Sequence, residues 1–187
     1  ATHGDVTKSN AHPHTDCKEN IAVVHNGVIE NFKHLKQKLE QKGHKFTSDT
    51  DTEVIAHLLE KYYNGDFLKT VINAIDKLKG SFALAIISEY HPDILIGVRR
   101  GSPLIIGKGN NENFIASDIP ALVSLTNTVY YLDEDEIAVL NSDSISFFNI
   151  KGEQLQKKSK QIKVKPREID KAGYAHYMLK EIMEQPD

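Results

Sequence analysis

The chain has 187 residues, 40% hydrophobic and 26% charged, the balance of a globular domain with room for one sizeable core or two small ones. Its formal charge is -3, and Glu and Gln interrupt the Lys-rich stretches 33–45 and 157–165, so no phosphate-backbone footprint is present and nucleic acid is not an expected partner. No apolar run reaches the roughly 18–20 residues of a bilayer span; the amino end carries no signal core, and the lone Cys17 excludes an intrachain disulfide framework, so the expected compartment is the cytoplasm with no membrane partner.

Residues 1–20 carry three His, two Asn and one Pro with little periodicity and read as an extended loop. The opening Ala1-Thr2-His3-Gly4, without a starting Met, reads as a piece of something longer. A buried strand is predicted at Ile21 to His25, and a helix from about Glu30 to Lys42 with Phe32, Leu35 and Leu39 on one face and Gly43 as its stop. Thr50 and Glu53 have the spacing of a capping box ahead of Val54, Ile55, Leu58, Leu59 and Tyr62, which places Asp51 at a helix start. A third helix is predicted over Asp66 to Lys79, closed by Gly80.

The pattern then changes to short apolar or alternating runs. Strands are predicted at Phe82–Ser88, Ile94–Arg99, Leu104–Gly107, Asn113–Ala116, Thr128–Leu132, Ile137–Leu140, Ile145–Ile150 and Gln161–Val164, with a short helix within Asp118–Ser124. Helices followed by strands indicate an α+β fold of antiparallel sheets. From Pro166 onward the chain turns polar and then regains helical spacing through Tyr174, Tyr177, Met178 and Ile182, so residues 166–187 read as a terminal helix and linker after a domain at 1–165.

Two segments carry candidate chemistry. Asn26 offers a side-chain NH2 and Gly27 a backbone N–H that no Cβ obstructs, the donor pair an oxyanion hole needs; the same dipeptide is also the commonest tight hairpin turn. Asp51 is either a carboxylate for a substrate ammonium or a helix-capping residue beside Thr50. A carboxylate at a helix start is stabilised by about 0.3–1 kcal/mol, while the same helix end opposes the ammonium, so the ion pair has to outweigh that term. The nine His residues show no two clusters with metal-ligand spacing, and His12-Pro13-His14 has an intervening Pro, so no metal and no cofactor is expected. His25 reads as a hydrogen-bonded core residue, and Cys17 as an incidental exposed thiol beside Lys18.

Taken in order, ATHG (1–4), NAHPH (10–14), VVHNGVIEN (23–31), SDTDTEVIAHLL (48–59), GSFALAI (80–86), RRGSPLIIG (99–107) and HYMLKEIMEQP (176–186) resemble the glutaminase domains, class II glutamine amidotransferases, of glucosamine-6-phosphate synthases. The resemblance implies an N-terminal-nucleophile hydrolase fold, an αββα sandwich of two antiparallel sheets between helical layers, truncated here at its amino end. It implies that Asn26 and Gly27 form the oxyanion hole, that Asp51 holds the α-ammonium of L-glutamine, and that Thr2, His3 and His12 line its carboxylate end. It further implies ammonia delivery to fructose 6-phosphate bound by an isomerase domain outside these residues, in a homo-oligomeric parent. That family uses an amino-terminal Cys as nucleophile, absent from this chain, so the 187 residues alone are expected to be inactive. The alternatives are a non-catalytic glutamine-binding or regulatory domain and a different class II amidotransferase.

Overall fold

The computed structural model describes residues 4–162 and 175–184. In chain order the elements are β1 (His14–Thr15), β2 (Ile21–Ile29), α1 (Phe32–Glu40), α2 (Glu53–Tyr62), α3 (Phe67–Ile75), β3 (Gly80–Ser88), β4 (Leu95–Arg100), β5 (Ile105–Lys108), β6 (Asn113–Ala116), a 3-10 turn (Ile119–Ala121), β7 (Thr128–Tyr131), β8 (Glu136–Leu140), β9 (Ile145–Asn149), β10 (Gln154–Leu155), β11 (Lys160–Gln161) and α4 (Tyr177–Glu184). They form a seven-stranded sheet, β1-β2-β3-β4-β8-β9-β10, and a four-stranded sheet, β11-β7-β5-β6, antiparallel throughout.

The larger sheet buries a different set of side chains on each face, as the two-residue period of a strand requires. Phe82, Leu84 and Ile86 of β3, with Ile96 and Val98 of β4, meet α1, α2 and α3 in the main core. Their neighbours of opposite parity, Ala83 of β3 and Ala138 and Leu140 of β8, meet Leu104, just before β5, and Ile106 of β5 in the smaller sheet. The outer face of that smaller sheet is covered, among the described residues, by the 3-10 turn and Leu122 packed on Ile105 and Val129. The α+β sandwich is therefore as expected, with α1, α2 and α3 together on one side of the large sheet.

α2 is the central helix, buried from Glu53 to Leu59, whereas α1 buries only Leu35 and Leu39. α1 begins two residues later than the sequence predicts, because the Glu30 and Asn31 positions are tied to the approach of β3. The Glu30 N–H donates to Lys79 O at 2.9 Å, and the Asn31 side chain donates to Lys77 O and accepts from the Lys79 N–H. The same clasp ends α3 at Ile75, short of the predicted Lys79, and makes Gly80 the first residue of a strand, not the last cap of a helix. Asp66 caps α3 by accepting the Lys69 N–H at 3.0 Å.

The short strands β1 and β10 carry no sequence signal of their own. The expected strand at Gln161–Val164 is present as Lys160–Gln161, with the rest of that range, like the proposed boundary at 165/166 and Tyr174, outside the described residues apart from Ile162. α4 is found where helical spacing resumes, with Met178, Leu179, Ile182 and Met183 exposed.

Candidate active site

β2 does not stop at His25. It runs nine residues to Ile29, and every one is paired with β3, from Ile21 opposite Ser88 to Ile29 opposite Gly80. Asn26-Gly27 consequently lies inside a strand, which removes the hairpin reading. Gly27 is required there: its φ is 131°, and a Cβ would sit 2.0 Å from the Ser81 carbonyl oxygen on β3. Asn26 projects from the other face of β2 between the partly exposed Val24 and Val28, and it lines a cavity of about 130 Å³ with His12, Leu104, Ile115 and Ser117.

Successive N–H groups of a strand point to alternate edges. The Glu30 N–H turns toward the β3 side, to Lys79 O, so those of Ile29 and Gly27 turn to the opposite edge, which β1 covers only at Ala22 and Val23. There the Ile29 N–H donates to Asp51 Oδ2 at 2.7 Å. Asp51, 2% exposed, is thus held on the edge that carries the Gly27 N–H, two residues or about 7 Å along the strand.

The rest of the Ser48–Glu53 segment is fixed from three directions. Asn10 Oδ1 accepts the Asp49 N–H at 3.0 Å, His14 Nε2 meets Thr50 Oγ1 at 3.1 Å, and Thr52 Oγ1 meets both His12 Nε2 at 3.3 Å and His25 Nδ1 at 3.0 Å. The predicted capping box is not formed. Thr52 occupies the N-cap without a side-chain cap bond, and the Glu53 carboxylate turns back to accept the Thr47 and Ser48 N–H groups, each at 2.7 Å, and the Ser48 hydroxyl at 2.6 Å. Folding the loop over its own carboxylate satisfies more donors than an N3-to-N-cap bond.

These bonds decide the charge states. Burial pushes the Glu53 carboxyl up, but the His57 imidazole 3.5 Å away and the hydrogen bonds from Ser48 and Thr47 more than reverse this and bring it down to about 2. Burial pushes His12 and His14 below the ordinary imidazole value, with Asp51 opposing in both cases and Glu53 also at His14. Both rings are neutral at pH 7.

Of the residues the sequence singles out, Asn26, Gly27, Asp51 and His12 are brought to one region, while Thr2 and His3 lie outside the described residues. His25 is 5% exposed and hydrogen-bonded, as its apolar strand suggests. Asn10, His14, Thr52 and Glu53 were not singled out as site residues. Their signal is the polar run Ser48–Glu53, buried at every position but Asp49, answered by Asn10, His12 and His14 at alternate positions.

Residues 2–124 match the family model described as glutamine amidotransferase domain. This chain belongs to that family. The amidotransferase domain is 52% identical over 189 aligned residues to the isomerizing glutamine–fructose-6-phosphate aminotransferase of Aquifex aeolicus, and 45% identical over 186 to that of Thermotoga maritima. Each alignment covers all of this chain and 31% of the relative, so the chain spans about a third of the length of the curated relatives it matches. Among solved structures, the Bacillus subtilis glutamine phosphoribosylpyrophosphate amidotransferase complexed with ADP and GMP superposes with a TM-score of 0.66 at 27% identity, over 78% of this chain and 33% of that one. The N-terminal-nucleophile amidotransferase fold is shared with it.

Proposed function

We propose that the amidotransferase domain hydrolyses the side-chain amide of L-glutamine and releases ammonia to fructose 6-phosphate held elsewhere in a longer, homo-oligomeric cytoplasmic polypeptide, as the glutaminase half of a glucosamine-6-phosphate synthase. The observation that carries this reading is the placement of the Asp51 carboxylate on the edge of β2 that also presents the Gly27 N–H. A carboxylate there receives the α-ammonium of glutamine. The amide carbon then lies where the Gly27 N–H and the Asn26 side chain face its oxygen.

When a thiolate attacks that carbon, the carbonyl π pair moves onto oxygen, and two preorganised donors stabilise the oxyanion where it develops. Collapse breaks the C–N bond, ammonia leaves with the proton taken from the thiol, and water hydrolyses the thioester to glutamate. Cys17 is not assigned the attack, because its sulfur faces His44 and His57 on the helical side and has no free α-amine beside it. His12, neutral and bonded to Thr52, is assigned to the carboxylate end of the substrate with Thr2 and His3. The 52% and 45% identities to fructose-6-phosphate aminotransferases, against 27% to a phosphoribosyl enzyme, support the choice of acceptor.

The test is Asn26→Ala in the full-length polypeptide, assayed for glutamate release. Turnover is expected to fall by a factor of about 10²–10³ with little change in KM, and because Asn26 is exposed the fold is expected to survive. Unchanged turnover would remove the oxyanion assignment.

A further inference from the structure

On the helical side of the large sheet, away from Asn26, four side chains from three segments converge. Cys17 lies on the turn between β1 and β2, His44 on the loop after α1, and His57 and Glu60 on α2. Cys17 Sγ is 3.7 Å from His44 Nδ1 and 3.5 Å from His57 Nδ1, and Glu60 Oε2 is 2.9 Å from His44 Nδ1 and 3.7 Å from His57 Nδ1. All four ligand atoms lie within 4.8 Å of one another. Zinc–sulfur bonds near 2.3 Å and zinc–nitrogen or zinc–oxygen bonds near 2.0 Å at tetrahedral angles put neighbouring ligand atoms about 3.3–3.6 Å apart. Three of the four measured separations fall within a few tenths of an ångström of that range, and the fourth is short by about as much.

We propose that Cys17, His44, His57 and Glu60 form a structural Zn2+ site. The donor set, one thiolate, two imidazoles and one carboxylate, is the S, N, O chemistry zinc accepts. Four protein ligands close the coordination sphere, which makes the site structural and not hydrolytic. Two further features fit a metal better than a hydrogen-bonded cluster. Glu60 Oε2 is buried and has no well-formed hydrogen bond. His57, 1% exposed, has its other nitrogen, Nε2, buried without a hydrogen bond and 3.5 Å from Glu53 Oε1, the place of an outer carboxylate that would orient a metal-bound imidazole through Nε2 and free Nδ1 for the ion. An entry path exists, since Cys17 is exposed and His44 and Glu60 are half-buried.

Zn2+ binding displaces the Cys17 thiol proton to solvent and leaves both imidazoles neutral. The ion would cross-link residues 17, 44, 57 and 60 and so clamp α2, whose first turn carries Glu53 directly behind Asp51 and Thr52. Sequence spacing conceals this site, because no two of its ligands form a short motif except His57 and Glu60, one helical turn apart.

The experiment is Co2+ titration of the metal-stripped chain, followed by displacement with Zn2+. One Co2+ per chain is expected, with the intense visible bands of tetrahedral cobalt and a near-ultraviolet thiolate-to-cobalt charge-transfer band, both abolished by one equivalent of Zn2+. Zn2+ should bind tighter than about 1 μM and raise Tm. Cys17→Ser, on an exposed turn, is expected to keep its far-ultraviolet circular dichroism, lose the charge-transfer band and weaken Zn2+ by more than the ~10–100-fold that follows loss of an outer hydrogen-bond partner. His44→Ala, also outside the core, should weaken it comparably. Cobalt bound without the charge-transfer band, equal zinc stoichiometry and affinity in folded Cys17→Ser, or no binding at micromolar metal would each overturn the proposal.

Discussion

Asp51 accepts the backbone N–H of Ile29 at 2.7 Å, a bond that joins a buried carboxylate on the α2 side to the edge of the strand bearing Asn26 and Gly27. The bond gives the carboxylate a structural role alongside the proposed binding one, and the two are separable. Asp51→Asn retains an acceptor for Ile29 while deleting the charge, so the fold should survive. Removing the charged partner of a buried ammonium costs about 2–5 kcal/mol. A rise of about 30-fold or more in the glutamine KM of the full-length polypeptide, with kcat less affected, is the expected result of steady-state assays. An unchanged KM would remove the substrate-binding role and leave Asp51 a structural one.

Gly27→Ala separates backbone geometry from side-chain chemistry. The added Cβ would meet the Ser81 oxygen at 2.0 Å while the residue is held at a φ of 131°. Left-handed strain and overpacking together should cost about 2–4 kcal/mol. Gly43→Ala is the control, because its φ of 91° carries the strain but nothing lies within 4 Å of the new atom. Denaturant midpoints should fall for both and at least about 1 kcal/mol further for Gly27→Ala.

Most of the fold is legible from periodicity, because the core elements obey simple rules: α2 repeats apolar residues at helical spacing, and β3 through β9 alternate or run apolar between turns. The errors come where tertiary partners override local signals. Nothing local says that Asn26-Gly27 continues a strand; β3 imposes it by pairing with all nine residues. Nothing local says that Glu53 abandons a capping box, since the competing donors belong to a loop whose path α2 and β1 determine. The site is legible only as a type of chemistry. Its assembly from residues 10–14, 25–29 and 48–53 depends on contacts across 22 to 40 positions, which spacing does not encode.

Acid should unfold the domain in two stages. His12 and His14 have folded values below 6.5, so their contribution is complete above pH 6.5 and declines as pH falls and a buried imidazole must accept a proton. Glu53 is lowered from 4.5 to about 2, so its contribution, on the order of 3 kcal/mol, is complete above pH 4.5 and is lost between there and pH 2. Thermal melts are expected to show a plateau at pH 7–8, a shallow loss below pH 6.5 and a steeper one below pH 4.5. Glu53→Gln should remove the steeper limb, and a melt profile identical to wild type would show that the carboxylate contributes nothing.

Thr52 is where the amino-terminal histidines and β2 meet. Its hydroxyl contacts His12 at 3.3 Å and His25 at 3.0 Å, and it is 2% exposed, so water does not substitute when it is removed. Thr52→Val keeps the volume and deletes the oxygen, leaving each imidazole nitrogen opposite a methyl group at an expected cost of about 1–3 kcal/mol. Thr52→Ser keeps the oxygen and loses one methyl, a change worth about 1 kcal/mol. If the hydroxyl acts as described, the denaturant midpoint of Thr52→Val lies well below that of Thr52→Ser with a common slope. The same order should appear in glutamine affinity, since the residue after Asp51 loses its anchor to the strand. Reversal of that order, with valine the more stable variant, would mean that packing at this position outweighs the hydrogen bonds and that the histidines orient themselves by other contacts.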